Sequence, residues 1–357
     1  MTRKALIMAG GTGGHVIPAL AVAQELIDRG WQVEWLGTQR GIESRLVPEK
    51  GITLHTISVE GLRGRGVLSL FKAPFMLLRA FIDAWRVLRN VRPDIVIGLG
   101  GFASGPGGVI ARMMAKPLVL HEQNAVAGTT NRLLARLTKH RLTGFPNVLS
   151  GQYVGNPVPK SVSQLTCPSL EGDTPVLLVL GGSLGAQALN ERVASVVARM
   201  DPAIRPRIVH QCGRNKADMT VAAYKAAEVD AEVVEFIDDM AEAYKSASVL
   251  ICRSGALTVS EVACVAKPAI FVPFPFAIDD HQTANAKFLS EAGTATVVPQ
   301  SHWNDEEVCE IISSYLTPSK TLIDALQTQY QQAIRNADIR VADYVERVCK
   351  KVSYEKN

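Results

Sequence analysis

Nothing in this 357-residue chain offers a disulfide framework, a paired-cysteine metal site or a stretch that could cross a membrane. Its six cysteines (Cys167, Cys212, Cys252, Cys264, Cys309 and Cys349) are scattered without a C-x-x-C pair, the pattern of reduced thiols in a cytosolic protein. The uncharged run at 95–111 is full of glycine and contains Pro106, whereas a spanning helix needs about 20 apolar residues. Arg3 and Lys4 followed by Ala-Leu-Ile-Met-Ala open like a secretory leader, but Gly10 and Gly11 end the apolar core too early, so no leader and no membrane insertion are expected. A net charge of +4 is too mild to argue for nucleic acid, and no such partner is expected.

Several catalytic signatures are missing as well. His121-Glu122 does not continue to H-E-x-x-H, and no Asp-x-Asp pair is present to hold a metal–diphosphate. Asp279-Asp280-His281 lacks partners at ligand spacing and reads as a polar loop capping the next helix, so no metal and no cofactor are expected. Ser183 sits in a glycine loop without the G-x-S-x-G elbow of a nucleophilic hydrolase. No glycine cluster leads into Gly-Lys-Ser/Thr. The dinucleotide fingerprint fails because Val16 stands where its third glycine belongs, and the second strand ends in Gly37-Thr-Gln-Arg40 with no acid for a ribose.

What remains is an α/β protein. An apolar fraction of 47% with 20% charged residues is that of ordinary globular chains, and the length suggests two domains. A strand at 4–9 runs into Gly10-Gly-Thr-Gly-Gly-His15, and Val16, Leu20, Ala23 and Ile27 then recur at helical spacing until Gly30. Strand, glycine turn and helix aim free N–H groups at the loop, so a phosphate or diphosphate fits there; the alternative is glycines that merely permit a tight turn. Further strands are expected at 32–36, 94–99, 117–121 and 141–145, with a helix at 129–137: a parallel sheet covered on both faces.

The pattern stops at Gly155-Asn-Pro157-Val-Pro159 and the opening motif returns, with a strand at 175–180, Gly181-Gly-Ser-Leu-Gly185 and a helix from Ala188. Strands at 207–211, 232–236, 249–252 and 269–272 follow, then helices from about Asp305, Lys320 and Asp338. A boundary is expected near residue 159. In the last helix Val341, Val345, Val348 and Val352 make one apolar face, whose docking partner the periodicity does not name.

Arg253-Ser-Gly-Ala-Leu-Thr-Val-Ser-Glu261 ends a strand and opens a helix, a second place for a diphosphate. There Arg253 adds charge, and Glu261 is either an acceptor for a ribose diol or a solvated helix residue. Between Gly61 and Pro93, Arg63, Arg65, Lys72, Arg79, Arg86, Arg89 and Arg92 stand against Asp83 alone. Lys72, Arg79 and Arg86 share a face beside Phe71, Phe75, Leu78, Phe81, Ile82 and Trp85, which suits either an anionic membrane surface or a core helix with a basic outer face.

Together, Gly10-Gly-Thr-Gly-Gly-His15, Gly100-Gly-Phe-Ala-Ser-Gly-Pro106, His121-Glu-Gln-Asn124, Gly155-Asn-Pro-Val158, Gly181-Gly-Ser183, Phe236-Ile-Asp-Asp-Met240 and Ser254-Gly-Ala-Leu-Thr-Val-Ser-Glu261 resemble the MurG family, in order and over nearly the whole chain. These are bacterial transferases that move N-acetylglucosamine (GlcNAc) onto lipid I to give lipid II in peptidoglycan synthesis. The resemblance implies a GT-B fold, two Rossmann-like parallel-sheet domains facing across a cleft. It places an acceptor- and membrane-side domain at 1–159, a donor domain at 160–335, and the helix of 336–357 back on the first domain.

It implies a donor site for UDP-GlcNAc that includes Thr12, Gly13, Gly14, Asn124, Ser183, Ile237, Arg253, Ala256, Leu257, Thr258, Val259, Ser260, Glu261 and Gln282. Ile237 would use its backbone on the uracil, Glu261 would hold the ribose hydroxyls and Gln282 would read the sugar. Gly100, Gly101, Phe102 and Ser104 would meet the acceptor, whose diphosphate the N-terminal glycine loops would receive. Departures from the family pattern are Pro159 for its usual Arg (whose bond to the donor would be missing or fall to Lys160), Phe102 for Tyr and Leu184 for Gln. For an inverting displacement the base would be His15, a histidine that follows a glycine loop, with Glu122 the next candidate. Peripheral attachment at the cytoplasmic face of the inner membrane is expected, with other cell-wall synthesis proteins as further partners. A UDP-GlcNAc 2-epimerase of the same fold and a non-catalytic nucleotide-sugar-binding regulator stay open as alternatives.

Overall fold

A computed structural model of the chain describes residues 2–58, 67–166, 174–182 and 185–354, and the side chains of all of these except 67–73, 278 and 352–354. Arg63, Arg65, Cys167, Ser183 and Leu184 therefore lie outside the described residues, as do the side chains of Phe71, Lys72 and Val352. The chain divides into two compact units, Met1–Pro159 with Asn336–Asn357, and Lys160–Arg335.

Unit 1 carries β1 (Lys4–Met8), α1 (Gly13–Asp28), β2 (Gln32–Gly37), α2 (Glu43–Glu49), β3 (Thr53–Thr56), α3 (Val67–Val91), β4 (Ile95–Gly98), α4 (Ser104–Met113), β5 (Leu118–Glu122), α5 (Thr129–Leu134), β6 (His140–Thr143) and β7 (Gln152–Tyr153). Its strands lie in the order β3-β2-β1-β4-β5-β6-β7, every pair parallel. Successive β1 side chains alternate between two cores. Ala5 and Ile7 join Val33, Trp35, Ile95 and Ile97 under α1, while Leu6 and Met8 join Val96, Leu118 and Leu120 under α3 and α4. That double burial explains why the strands read as continuous apolar runs. The buried stripe of α1 is Val16, Ala19, Val22, Ala23 and Leu26, one position away from the expected face, with Leu20 and Ile27 at its margin.

The C-terminal helix, Ala337–Tyr354, belongs to this unit. Val341, Ala342, Val345 and Val348 enter the α1 core, Arg29 of α1 pairs with Asp343 at 2.7 Å, and Tyr344 Oη meets His140 Nδ1 at 3.1 Å.

Unit 2 repeats the scheme with α6 (Lys160–Ser163), β8 (Val176–Leu180), α7 (Gln187–Ala198), β9 (Arg207–Gln211), α8 (Ala217–Ala226), β10 (Glu232–Val234), α9 (Met240–Ser246), β11 (Val249–Cys252), α10 (Ala256–Val265), β12 (Ala269–Phe271), α11 (His281–Ser290), β13 (Ala295–Val297), α12 (Asp305–Leu316) and α13 (Lys320–Gln332). Its all-parallel sheet runs β10-β9-β8-β11-β12-β13. Both sheets follow the Rossmann order, in which the chain reverses direction beside the first strand and leaves a crevice at the strands' carboxyl ends. The reversal lies between β1 and β4 in unit 1 and between β8 and β11 in unit 2. The five described cysteines are free thiols.

Candidate functional site

In unit 1 two glycine loops meet at that reversal. Gly101, at φ +85°, lies so close to the Gly10 backbone that a Cβ would overlap the Gly10 carbonyl. Only glycine allows this approach. Ser104, fully buried, donates to the carbonyls of Met8 (2.9 Å) and Gly100 (2.7 Å), tying the second loop to the end of β1. The first loop rests on a residue that no sequence pattern singled out. Glu43, fully buried at the start of α2, accepts from the Gly11 N–H at 3.0 Å, the Thr38 N–H at 2.9 Å and Thr38 Oγ1 at 2.7 Å. Thr12 caps α1 through its backbone, accepting from His15 and Val16 N–H, and its own side chain makes no cap bond. The N–H groups of Gly13 and Gly14 find no acceptor among the described residues, which leaves the helix end open to an anion. Phe102 is exposed.

His15 stands in the first turn of α1 with its ring against Gly100, so close that a Cβ there would come within 2.9 Å of it. Its Nδ1 lies 3.1 Å from Gln123 Oε1. Gln123 Nε2 reaches His121 Nδ1 at 3.2 Å and the His121 carbonyl at 3.3 Å, and His121 Nε2 reaches the Gly155 carbonyl at 2.9 Å. His121 and Gln123 are buried, and burial holds the His121 imidazole below its ordinary pKa, hence neutral.

Glu122, the second candidate base, is occupied. Oε1 accepts from Asn124 N–H (3.0 Å) and Asn124 Nδ2 (3.3 Å), and Oε2 accepts from Gly128 N–H (3.1 Å) and Asn131 Nδ2 (2.9 Å). A carboxylate has about four acceptor sites, and four donors fill them. The geometry thus gives Glu122 the work of shaping the loop that carries Asn124, and leaves it no lone pair for a substrate proton.

In unit 2, β11 delivers Arg253 and Ser254 to the N-terminus of α10, with Gly255 as cap. Val259 N–H is already given to the Gly255 carbonyl, and Ser260 Oγ bonds the Ala256 carbonyl. The groups left to a ligand are the first-turn N–H groups of Ala256, Leu257 and Thr258, while the Leu257 and Val259 side chains are buried. Ser254 Oγ is buried without a hydrogen-bond partner among the described residues, a polar atom that an incoming oxygen would satisfy. Arg253 does not reach freely outward. Its Nη1 donates to the carbonyls of Val272 and Pro273 and its Nη2 to Gln300 Oε1, each at 3.0 Å.

Glu261, about one and a half turns into α10, is held against the fully buried Tyr244, whose hydroxyl donates to Oε2 at 2.9 Å. Desolvation pushes its pKa up to about 7, with the Tyr244 bond pulling the other way. It is therefore not a solvated surface carboxylate. Gln282 Oε1 accepts from Phe274 N–H at 2.9 Å, and Ile237 is half-buried beyond β10. The glycine loop after β8 is clamped by Gln211, another unforeseen residue. It accepts from Gly182 N–H (3.1 Å) and donates to the carbonyls of Gly182 (3.0 Å) and Glu235 (3.2 Å). In the Asp279-Asp280 turn both residues adopt left-handed φ, and Thr283 Oγ1 donates to Asp280 Oδ1 at 2.7 Å. Among the described residues no group of three His, Cys, Asp or Glu side chains is placed to hold a metal.

Helix α3 turns Ala80, Ala84, Leu88 and Val91 inward and leaves Phe75 (77% exposed), Leu78 (59%), Ile82 (41%) and Trp85 (41%) uncovered along one stripe. Arg79 and Arg86 flank Asp83 at 4.0 and 3.8 Å, and the Arg89 guanidinium lies 5.0 Å from the Trp85 ring centre. Among the described residues no helix is long and apolar enough to cross a membrane.

Two Rossmann-like sheets, each with an anion-ready helix end at its point of reversal, define the glycosyltransferases of GT-B fold, and the comparisons agree. The profile of the glycosyltransferase family 28 N-terminal domain matches residues 5–143, and that of the family's C-terminal domain matches residues 176–342. The UDP-N-acetylglucosamine–N-acetylmuramyl-(pentapeptide) pyrophosphoryl-undecaprenol N-acetylglucosamine transferase of Bordetella petrii is 48% identical over 98% of both chains. The crystal structure of Acinetobacter baumannii MurG superposes with a TM-score of 0.81 at 40% identity, covering 97% of this chain and 99% of that one. CalG4, the calicheamicin glycosyltransferase, at 16% identity and a TM-score of 0.69 over 99% of this chain and all of that one, shares the fold. The chain belongs to glycosyltransferase family 28 and, within it, to the MurG family of N-acetylglucosamine transferases.

Proposed function

We propose that the protein transfers GlcNAc from UDP-GlcNAc to the 4-hydroxyl of MurNAc in lipid I, with inversion, to give lipid II. The observation that carries this reading is 48% identity, over 98% of both chains, to a transferase whose name states that donor and that lipid-linked acceptor. The same identity sets aside the 2-epimerase and the non-catalytic regulator. Unit 2 takes the donor. The open amides of α10 and the unpartnered Ser254 hydroxyl receive the diphosphate, Glu261 accepts from the ribose diol, the Ile237 backbone meets the uracil and Gln282 the sugar. Arg253, spent on three acceptors, shapes the β12 end and adds its field from there.

Unit 1 takes the acceptor at its two glycine loops. His15 Nε2 removes the proton of the attacking 4-hydroxyl as the new C–O bond forms at the anomeric carbon. The bond to the diphosphate breaks, and UDP leaves with its electron pair. Radiolabelled UDP-GlcNAc with lipid I should yield labelled lipid II, and none without the lipid. Label appearing as UDP-ManNAc in the absence of lipid would overturn the assignment.

The uncovered stripe of α3, edged by Arg79, Arg86 and Arg89, supports a peripheral seat on the anionic cytoplasmic face of the inner membrane, where the lipid acceptor and other cell-wall synthesis proteins lie. Each basic residue near such a surface contributes about 1 kcal/mol. Neutralising Lys72, Arg79 and Arg86 together should lower binding to phosphatidylglycerol vesicles in low salt, and equal partitioning by both proteins would remove this face from the reading.

A further inference from the structure

His15 reaches the end of β5 through a chain of side chains whose hydrogens can be assigned by elimination. The Gly155 carbonyl can only accept, so the atom facing it, His121 Nε2, carries a hydrogen. The ring is neutral in its buried site, which leaves His121 Nδ1 as an acceptor. The His121 carbonyl likewise can only accept, and it lies 3.3 Å from the same Gln123 atom that faces His121 Nδ1. That atom must be the Gln123 NH2 group, and the amide cannot be turned over without setting oxygen against both acceptors. The carboxamide oxygen therefore faces His15 Nδ1 at 3.1 Å, and since it too can only accept, Nδ1 carries the proton.

We infer that Gln123, fixed by His121 and the Gly155 carbonyl, is a positioning residue that locks His15 in the tautomer with its proton on Nδ1 and a bare lone pair on Nε2. In water a neutral histidine prefers the opposite arrangement, with the proton on Nε2, where it can only donate. The lock thus supplies the acceptor that a base requires, and it holds in both protonation states of the ring, because Gln123 Oε1 accepts from Nδ1–H before and after Nε2 gains the substrate proton. The Gly155-Asn-Pro-Val158 turn gains a task as well. Its first carbonyl ends the chain, and Asn156 Nδ2 donates to the Gln123 carbonyl at 3.0 Å, holding the same residue through its backbone.

Among the described residues no other titratable side chain on the elements around His15 replaces this arrangement. Glu43 beneath the first glycine loop is committed to Gly11 and Thr38, Glu122 to its four donors, and His121 to Gly155 and Gln123.

This inference deepens the reading of His15 as the base, and two separate readouts keep them apart. Nitrogen NMR of the full chain labelled at histidine reports the tautomer without any turnover. Wild-type His15 should show a protonated Nδ1 and a bare Nε2, and Gln123→Met should move the proton to Nε2. A wild-type proton on Nε2, or an unchanged tautomer in the variant, overturns the lock. In the transfer assay Gln123→Met should lower kcat roughly ten- to hundredfold, less than the roughly 10⁴-fold seen when a triad histidine is held in the wrong tautomer, because the freed ring can still turn over. The KM for UDP-GlcNAc should hardly change.

Gln123 Oε1 also favours the protonated ring, so its loss should shift the acidic limb of the rate profile to lower pH. Gln123→Glu keeps an acceptor and adds charge, so it should retain the Nδ1 proton and shift the limb to higher pH. Should Gln123→Met fail to fold, this variant carries the test, and an unmoved limb overturns the proposal. His15→Gln tests the base itself. An acidic limb that survives there moves the base elsewhere, whatever the tautomer.

Discussion

Glu122 in unit 1 and Glu261 in unit 2 are both carboxylates taken largely out of water near the carboxyl end of a parallel sheet, and they differ in how many donors meet them. Glu122 receives four, two of them backbone amides, and its loop is built on that arrangement. Among the described residues Glu261 receives one, from Tyr244. A carboxylate with every lone pair engaged holds structure, whereas one left short of donors is costly until a ligand supplies them. The comparison teaches that burial of an acid does not mark a binding residue. Unfilled acceptor capacity is what the proposed role of Glu261 rests on.

The largest effect should come from the filled carboxylate. Glu122→Ala removes the acceptor of the Asn124 and Gly128 amides and of one Asn131 Nδ2 hydrogen, which should lower stability by about 3 kcal/mol in urea unfolding. Glu122→Gln keeps one oxygen and should lose about half as much. A stable Glu122→Ala protein with collapsed turnover would break the comparison, because Glu122 would then act on the substrate.

Glu261→Ala should reverse the pattern. Stability should hold, since the single Tyr244 hydroxyl is all that is left unpaired, while the UDP-GlcNAc dissociation constant rises by about 1–3 kcal/mol, or roughly 5- to 150-fold, in calorimetry.

A smaller effect follows from charge. On the proposed contact the ribose diol donates and so prefers ionised Glu261, whose pKa in the free protein is pushed up to about 7. Ligand binding must lower that pKa. Affinity should therefore be constant above pH 7 and fall as pH drops through 7, by up to about tenfold per unit, with proton release on binding in that range. A pH-independent constant between pH 5.5 and 8 would show that Glu261 faces no donor of the ligand.

The smallest effect concerns the two glycine-loop props. Glu43 meets three donors, so an acceptor-only carboxylate suits it; Gln211 meets one donor and two carbonyls, so only an amide does. Gln211→Glu should cost roughly 1–2 kcal/mol. Its carboxyl, disfavoured as an anion beside two carbonyls, will have a folded pKa above the unfolded value of about 4.3. The deficit should thus appear as pH rises through 4.3 and shrink again in acid, where the protonated group can donate.

How much of this was legible varies with the range of the forces involved. The strand–glycine–helix openings at Lys4 and Val176 read clearly because local periodicity and turn chemistry encode them. The short edge strands Thr53–Thr56 and Gln152–Tyr153 were missed, since neither is apolar enough to announce itself, and Ala295–Val297 is only three residues long. His15 and Glu261 stood out through their neighbours in sequence. Glu43, Gln123 and Gln211 did not, because they act through hydrogen bonds to residues 32, 108 and 29 positions away, which leave no trace in spacing.

The C-terminal helix sets an order on the making of the protein. Val341, Val345 and Val348 complete a core whose other members, from α1 and β1, leave the ribosome first. Between them lies all of unit 2, Lys160–Arg335, which takes roughly 9–35 s to synthesise at ordinary rates of about 5–20 residues per second. Through that interval the nascent first unit exposes the apolar flank of α1 that the last helix will cover. The second unit needs nothing from the ends of the chain and can close first. The half of the protein translated earliest is therefore the half finished last, and damage to the final helix will be felt at the glycine loops roughly 300 residues upstream.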